Sequence, residues 1–291
     1  MRLLRAELLK IRRRQATYVV LFVAVVLMVV IFLLTGSTLG GLAGAITFPA
    51  AYALIGEFVF SIGGLMAVVY AAAYVGSDWN WGVLRNVVAR GESRTGYLLA
   101  KTLALIIVLG IAMLLLFALG IVMTYVTGVV YGIPVSNPLS GDGIADLAEW
   151  LIFGFPVLVQ RAALGLMVAV VLRSQLAGAV VGIVLYVGEA IITTTLTFAA
   201  VASSFGGGFD PEGPILGFEP IGPEWFQFLP ISIGGNVLSA LPGGATAGAS
   251  GGLEDLFLKP VPFELALPMV LVYLVVSIGI AVFALRRQEI V

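Results

Sequence analysis

Residues 12–34 read RRRQATYVVLFVAVVLMVVIFLL: three arginines, a two-residue step, then a run from Thr17 to Leu34 with no charge in it. About 20 apolar residues are needed to cross the hydrocarbon core, and Lys/Arg-rich flanks stay on the cytoplasmic side. The run is longer than the apolar region of a signal peptide, so a retained first span is expected, with its N-terminus inside. Working outward by the same criterion, further spans fall at about 52–75, 96–126, 150–172, 176–200 and 263–285. The basic residues agree with this. Arg85, Arg90, Arg94 and Lys101 separate spans two and three, Arg173 separates four and five, and Arg286 and Arg287 follow the sixth. The alternate segments hold eight acids, nine with Glu149, against the single base Lys259. The expected fold is an all-α integral membrane protein of six spans, a single transmembrane domain over 1–291 with both termini cytoplasmic.

Composition removes several function classes. Apolar residues make up 60% and charged residues 11%, where soluble proteins carry about 25% charged. Little chain is left for a separate cytoplasmic domain. The bases hug the ends of apolar spans, so nucleic acid is not an expected partner; the lipid bilayer is. With no histidine and no cysteine, Ser-His-Asp and Cys-His catalysis, histidine-ligated zinc and disulfides are excluded. Gly248-Ala-Ser250-Gly-Gly252 spells G-x-S-x-G, but with no histidine to serve it reads as loop. No G-x-x-x-x-G-K-[ST] occurs, so the chain has no phosphate-cradling loop. No catalytic, metal or cofactor site is expected on it.

Two segments on the acidic side differ from the rest. Residues 128–148 read as a modest acidic loop. Residues 203–262 form a long Gly/Pro-rich extracytoplasmic excursion whose apolar patch, from Phe218 through Trp225, Phe228 and Ile231 to Leu241, predicts short helices at or dipping into the outer leaflet, roughly Glu224 to Leu241. Long loops of this kind are usually functional or unstructured. A Gly/Ala/Ser stretch continues to Gly252.

On the basic side, residues 1–15 (MRLLRAELLKIRRRQ) place Leu4, Leu8 and Ile11 on one helical face, with Arg5, Arg12 and Arg13 elsewhere. Such a helix lies at the interface, either as an anchor or as an elbow touching a cytoplasmic partner. After the second span comes GSDWNWGVLRNVVARGESR, 76–94. Leu84, Val87, Val88 and Gly91 recur at helical spacing, ringed by Arg85, Arg90 and Arg94, and two tryptophans mark the interface. A short cytoplasmic amphipathic helix is expected here.

This run resembles the intracellular-loop signature of ABC-2 type transporter permeases at Asp78, Gly82, Leu84, Arg85, Ser93, Arg94 and Lys101, with Asp where Glu is commoner and Val83 in place of Thr. Glu7-Leu-Leu-Lys10 with Arg12–Arg14, the six spans, the long segment before the last of them and the basic tail are similar to the family as well. The resemblance implies a permease subunit of an exporter that works with a second copy of itself or a similar permease and with separate ATP-binding cassette ATPase subunits. ATP and Mg would then be held by the partner. Asp78, Gly82, Leu84, Arg85, Val88 and Arg94 would form a coupling helix that docks on the ATPase. The cargo would be amphiphilic or lipid-like, and the membrane the plasma (inner) membrane of a prokaryote.

Three ionisable residues lie within spans: Glu57, Arg161 and Glu189. Each costs about 2.5–3.5 kcal/mol on insertion scales if unpaired. Folding the fourth and fifth spans about Arg173-Ser174 brings Arg161 and Glu189 within a helical turn of each other in depth. A buried pair is the first reading, a substrate-reading residue the second. Glu57 reads as nearer the outer surface. Gly40-xxx-Gly44 and Gly178-xxx-Gly182 permit close helix approach, although 36 glycines make such spacings common. The competing class is an ATPase-independent secondary transporter or channel, which calls for polar residues or broken helices at the midplane. Pro156 is the one break in mid-span. A membrane scaffold is the third reading, and it leaves the basic helix unexplained.

Overall fold

The computed structural model describes residues 2–38, 47–83, 89, 91–138, 141–205, 225–244 and 260–287. Among these there is no strand. Six helices are long and apolar enough to cross a membrane, so the chain is a multi-pass membrane protein.

Helix α1 (Arg2–Arg13) is followed, after Arg14 alone, by α2 (Gln15–Thr38). The second span is composite. Helix α3 (Ala50–Glu57) passes through a π-helical turn, Phe58–Ile62, into α4 (Gly63–Asn80). Then come α5 (Arg94–Tyr131), α6 (Gly141–Leu172), α7 (Gln175–Phe205), a 3-10 turn Trp225–Phe228, α8 (Pro230–Ser239) and α9 (Phe263–Arg287). Arg286 Nε donates to Thr95 Oγ1 at 3.2 Å and α1 packs against α5, so both ends of the chain lie at one end of the bundle, the terminal end.

Every expected span falls inside a helix, and several helices run past it. Ser93 Oγ accepts from Gly96 N at 3.1 Å and caps α5, while Gly132 in the left-handed region ends it. At 38 residues α5 is about 57 Å long by its rise, well beyond a hydrocarbon core of about 30 Å. The acidic loop expected over 128–148 is mostly helix: α5 continues to Tyr131 and α6 begins at Gly141. Hydropathy hid this, because the first turns of α6 carry Asp142, Asp146 and Glu149. Acids suit a helix N-terminus, where the macrodipole is positive. Pro156 does not break α6.

The composite second span and α6 form the centre. In the apolar windows of these two spans 61% and 67% is buried, against 11% for α7. That leaves most of α7 to lipid or to another chain. Glycine sets the closeness of the centre. A Cβ on Gly165 would stand 2.1 Å from the Val68 carbonyl oxygen, and one on Gly178 2.7 Å from Ala169 Cα. A Cβ on Gly182 would stand 2.8 Å from Val68 Cγ1, so the 178/182 spacing is used in packing; Gly40-xxx-Gly44 lies outside the described residues. Because backbone cannot yield, Gly165→Ala is expected to destabilise by about 3 kcal/mol, the upper end for overpacking. Thermal melting in detergent measures this, and an unchanged midpoint would refute it.

Between α2, α4 and α5 lies a cavity of about 200 Å³, lined almost wholly by apolar atoms, among them Ala24, Gly63, Ala67, Val108, Ala112 and Met113.

Candidate functional site

At the terminal end, polar residues far apart in sequence converge. Tyr70, Tyr74 and Asp78 follow one another at i+4 along α4 and so share a face. Tyr97 and Lys101 do the same on α5, and Glu7, Lys10 and Arg14 run along α1 into the step before α2. Asp78 is only 2% exposed, Glu7 6% and Lys101 0%. Lys10 Nζ donates to Asp78 Oδ1 at 2.6 Å. Asp78 Oδ2 accepts from Tyr97 OH at 2.5 Å and from the Lys101 ammonium. Tyr74 OH donates to Glu7 Oε2 at 2.5 Å. The Lys101 ammonium also lies 4.3 Å from the centre of the Tyr74 ring, a favourable place for a cation. Two acids and two amines make the cluster neutral, which is how charges survive burial.

The network continues along the first span. Arg14 donates to Ser77 Oγ at 3.3 Å and to the Ala73 carbonyl at 3.1 Å. Thr17 and Tyr70 share a hydrogen bond of 2.8 Å. Helix α1 is thus keyed to the ends of α4 and α5 through its buried Glu7 and Ile11, while Arg5, Arg12 and Arg13 stay exposed.

This places the sequence-predicted coupling residues. Asp78 lies in the last turn of α4 and faces inward, bound to Lys10, Tyr97 and Lys101. Trp81 N and Gly82 N close that helix on the Ser77 and Trp79 carbonyls. Gly82, just past the end of α4, is in the left-handed region at φ +62°, and a Cβ there would meet nothing within 4 Å. Arg94 opens α5. Leu84, Arg85 and Val88 lie outside the described residues. Tyr74 and Tyr97 were missed by sequence reasoning, although their spacing from Asp78 and Lys101 was a usable signal.

The second polar site is deep in the bundle. Arg161 and Glu189 do come together, but not as an ion pair within 4 Å. They meet at one residue: Ile231 N donates to Glu189 Oε1 at 2.6 Å, and the Ile231 carbonyl accepts from Arg161 Nη2 at 3.4 Å. Ser232 adds its N–H at 2.8 Å and its hydroxyl at 3.2 Å to the same carboxylate oxygen. Glu189 is therefore a capping carboxylate for α8, supplied by another span because Leu229 at the N-cap has no side-chain hydrogen bond to offer. Arg161 Nη1 donates to the Phe60 carbonyl, and Tyr186 OH to the Ser61 carbonyl at 2.8 Å. Both carbonyls belong to the π-helical turn, where the shift from the α-helical hydrogen-bond pattern leaves groups for outside donors. Glu57 is half-buried one residue before this turn.

The direct-pair reading predicted that exchanging the charges would rescue the single variants. The geometry reverses that. An arginine at 189 cannot accept from the Ile231 and Ser232 amides, so Arg161→Glu/Glu189→Arg is expected to accumulate no better than either single variant. Recovery of monodisperse protein on size-exclusion chromatography in the double variant would overturn this.

Among curated proteins none matches the chain. The sequence profile of the ABC-2 family transporter proteins matches residues 3–189, a stretch that contains α1 from its second residue on, the whole charge network and both Arg161 and Glu189, and the chain therefore belongs to the ABC-2 transporter family.

Proposed function

We propose that the chain is the membrane-spanning subunit of an ATP-driven exporter, paired with a separate ATP-binding cassette subunit and with a second copy of itself or a similar permease. In this reading the terminal end is the cytoplasmic one, which the distribution of Lys and Arg supports, and the membrane is the plasma membrane of a prokaryote. The chain itself carries no catalysis; ATP and Mg act on the partner.

The observation that carries this reading is the buried network at Asp78. It joins α1 to the ends of α4 and α5, the two helices that residues 81–93 connect in sequence, so a push on that segment would reach three elements together. A rigid connection of this kind is what an ATPase working from outside the membrane needs in order to bias one of two packings of the bundle. The apolar cavity between α2, α4 and α5 supports an amphiphilic or lipid-like cargo over a sugar or a free ion. Against an ATPase-independent channel, Arg161 and Glu189 are both engaged by backbone groups.

The test is a mild-detergent pull-down from the native host with mass spectrometry. A co-purifying P-loop ATPase, lost when residues 78–94 are altered, is the expected result. A chain that returns alone and exchanges solutes in liposomes without ATP would defeat the proposal.

A further inference from the structure

The apolar cavity between α2, α4 and α5 is open on one side. Two of its lining residues on α5, Ile111 and Leu115, are 55% and 54% exposed. Small residues make the room: Ala24 on α2, Gly63 and Ala67 on α4, and Ala112 on α5. A Cβ on Gly63 would meet nothing closer than the Phe58 carbonyl oxygen, at 3.7 Å. Farther from the terminal end α2 and α5 close on each other. There Tyr131 OH donates to the Leu33 carbonyl at 3.0 Å, and a Cβ on Gly36 would stand 2.4 Å from Thr127 Cγ2. The cavity is a cleft where two spans part before they meet.

Its depth is that of one leaflet. Along the second span the lining reaches from Tyr70 back to Val59, 11 residues, or about 16 Å by the helical rise. That is about half of a hydrocarbon core of about 30 Å. The terminal-side end of the cleft is polar: Thr17 and Tyr70, both in the lining, share their hydrogen bond there. Thr17 Oγ1 also donates to the Ile11 carbonyl at 3.1 Å, and Tyr18 OH to the Arg12 carbonyl at 2.7 Å. These bonds hold the backbone of Arg12 and Arg13 beside that end. Both side chains are exposed, and among the described residues the ion pairs are those of Asp78 with Lys10 and Lys101. The acid nearest to them in sequence, Glu7, is buried and bound by Tyr74.

We infer that this cleft is a lipid site: it takes one acyl chain of a phospholipid from the terminal-side leaflet, with the anionic headgroup on Arg12 and Arg13. A gap left empty beside liquid acyl chains forfeits the dispersion contacts of its lining, and basic residues at a membrane surface attract anionic headgroups. A second copy of the chain is the poorer occupant, because in the same orientation it brings the same arginines to the same level. That the lipid is also carried rests on the exporter reading; that it is held does not.

The probe is a phosphatidylglycerol with a diazirine in mid-chain, photolysed with the full chain in nanodiscs and mapped by peptide mass spectrometry. A phosphatidylcholine with the same chains runs in parallel. Label is expected on the peptides holding Val59–Tyr70 and Val108–Leu116. Gly63→Leu, whose added side chain points into open space, is expected to lower it about tenfold, as extra methylenes in an occupied site would. Ala112→Leu, from another helix of the cleft, is expected to do the same and guards against a folding defect in the first. Arg12→Gln/Arg13→Gln is expected to abolish an about tenfold preference for phosphatidylglycerol over phosphatidylcholine while the label stays on the same peptides. Undiminished label in folded Gly63→Leu and Ala112→Leu would overturn the site, as would a wild-type cleft left unlabelled because another chain covers it. Equal uptake of the two lipids by the wild type would overturn the headgroup assignment. With the partner ATPase present, ATP is expected to lower the label in the cleft. Label indifferent to ATP, yet lost in Gly63→Leu, would count against the exporter reading and leave the lipid site standing.

Discussion

Asp78→Ala is expected to be the most damaging single substitution at the terminal end. It strands Lys101, whose side chain is 0% exposed, with aromatic rings and the more distant Glu7 but no bonded counter-charge. Removing one partner of a buried pair costs about 3–5 kcal/mol, because the survivor keeps its desolvation penalty. Lys101→Met is the milder half of the cycle, since Asp78 retains Lys10 and Tyr97. The double variant Asp78→Leu/Lys101→Met has no stranded charge and is expected to melt within about 1–2 kcal/mol of the wild type, as apolar replacements of buried pairs commonly do. If the network transmits motion, this stable double variant should still export poorly. Melting midpoints, read beside transport in proteoliposomes with the partner ATPase, separate the two roles. Single variants as stable as the wild type would show that the network holds nothing together.

Gly82→Pro is the second large effect. At φ +62° proline cannot follow the turn, since its ring fixes φ near −65°. The backbone at residue 82, where the chain leaves α4, must then be redirected. Transport is expected to fall at least tenfold, about 1.4 kcal/mol of coupling or more, with the spans inserted and ATP hydrolysis by the partner no longer stimulated by cargo. Gly82→Ala, which pays only the left-handed penalty of about 1–2 kcal/mol, should fall in between. Leu84→Asp is expected to uncouple in the same way. Normal coupling in Gly82→Pro would remove the segment from the mechanism.

The spans were legible because hydrocarbon imposes length and polarity on a single helix, and all six fall inside observed helices. Which polar groups meet across helices was less so. Glu7, Lys10, Asp78 and Lys101 stood out one by one as motif residues, yet their convergence depends on the rotation of three helices about their axes. Tyr74 and Tyr97 read as ordinary aromatic residues of apolar spans. Arg161 and Glu189 were legible as neighbours in depth, since both are counted from the same tight turn at Arg173. Their true partners were not: backbone groups of Ile231, Ser232 and Phe60 leave no mark in composition. The π-helical turn FVFSI has no distinctive spelling, and the acids at the start of α6 disguised helix as loop.

The two deep charges also differ in when their partners come into being during synthesis. The Phe60 carbonyl is made 101 residues before Arg161, so the guanidinium finds an acceptor already in the membrane. Glu189 has the opposite order: its donors at Ile231 and Ser232 follow it by 42 and 43 residues. While the ribosome works through that interval, the hairpin of α6 and α7 would have to wait with the Glu189 carboxylate lacking its donors. Nascent chains stopped before Trp225 should therefore hold the Asp78 network intact yet be degraded faster than chains carried past Ser239, a difference that pulse-chase of the two truncations would read. The last helices of this bundle complete the burial of a charge inserted long before them.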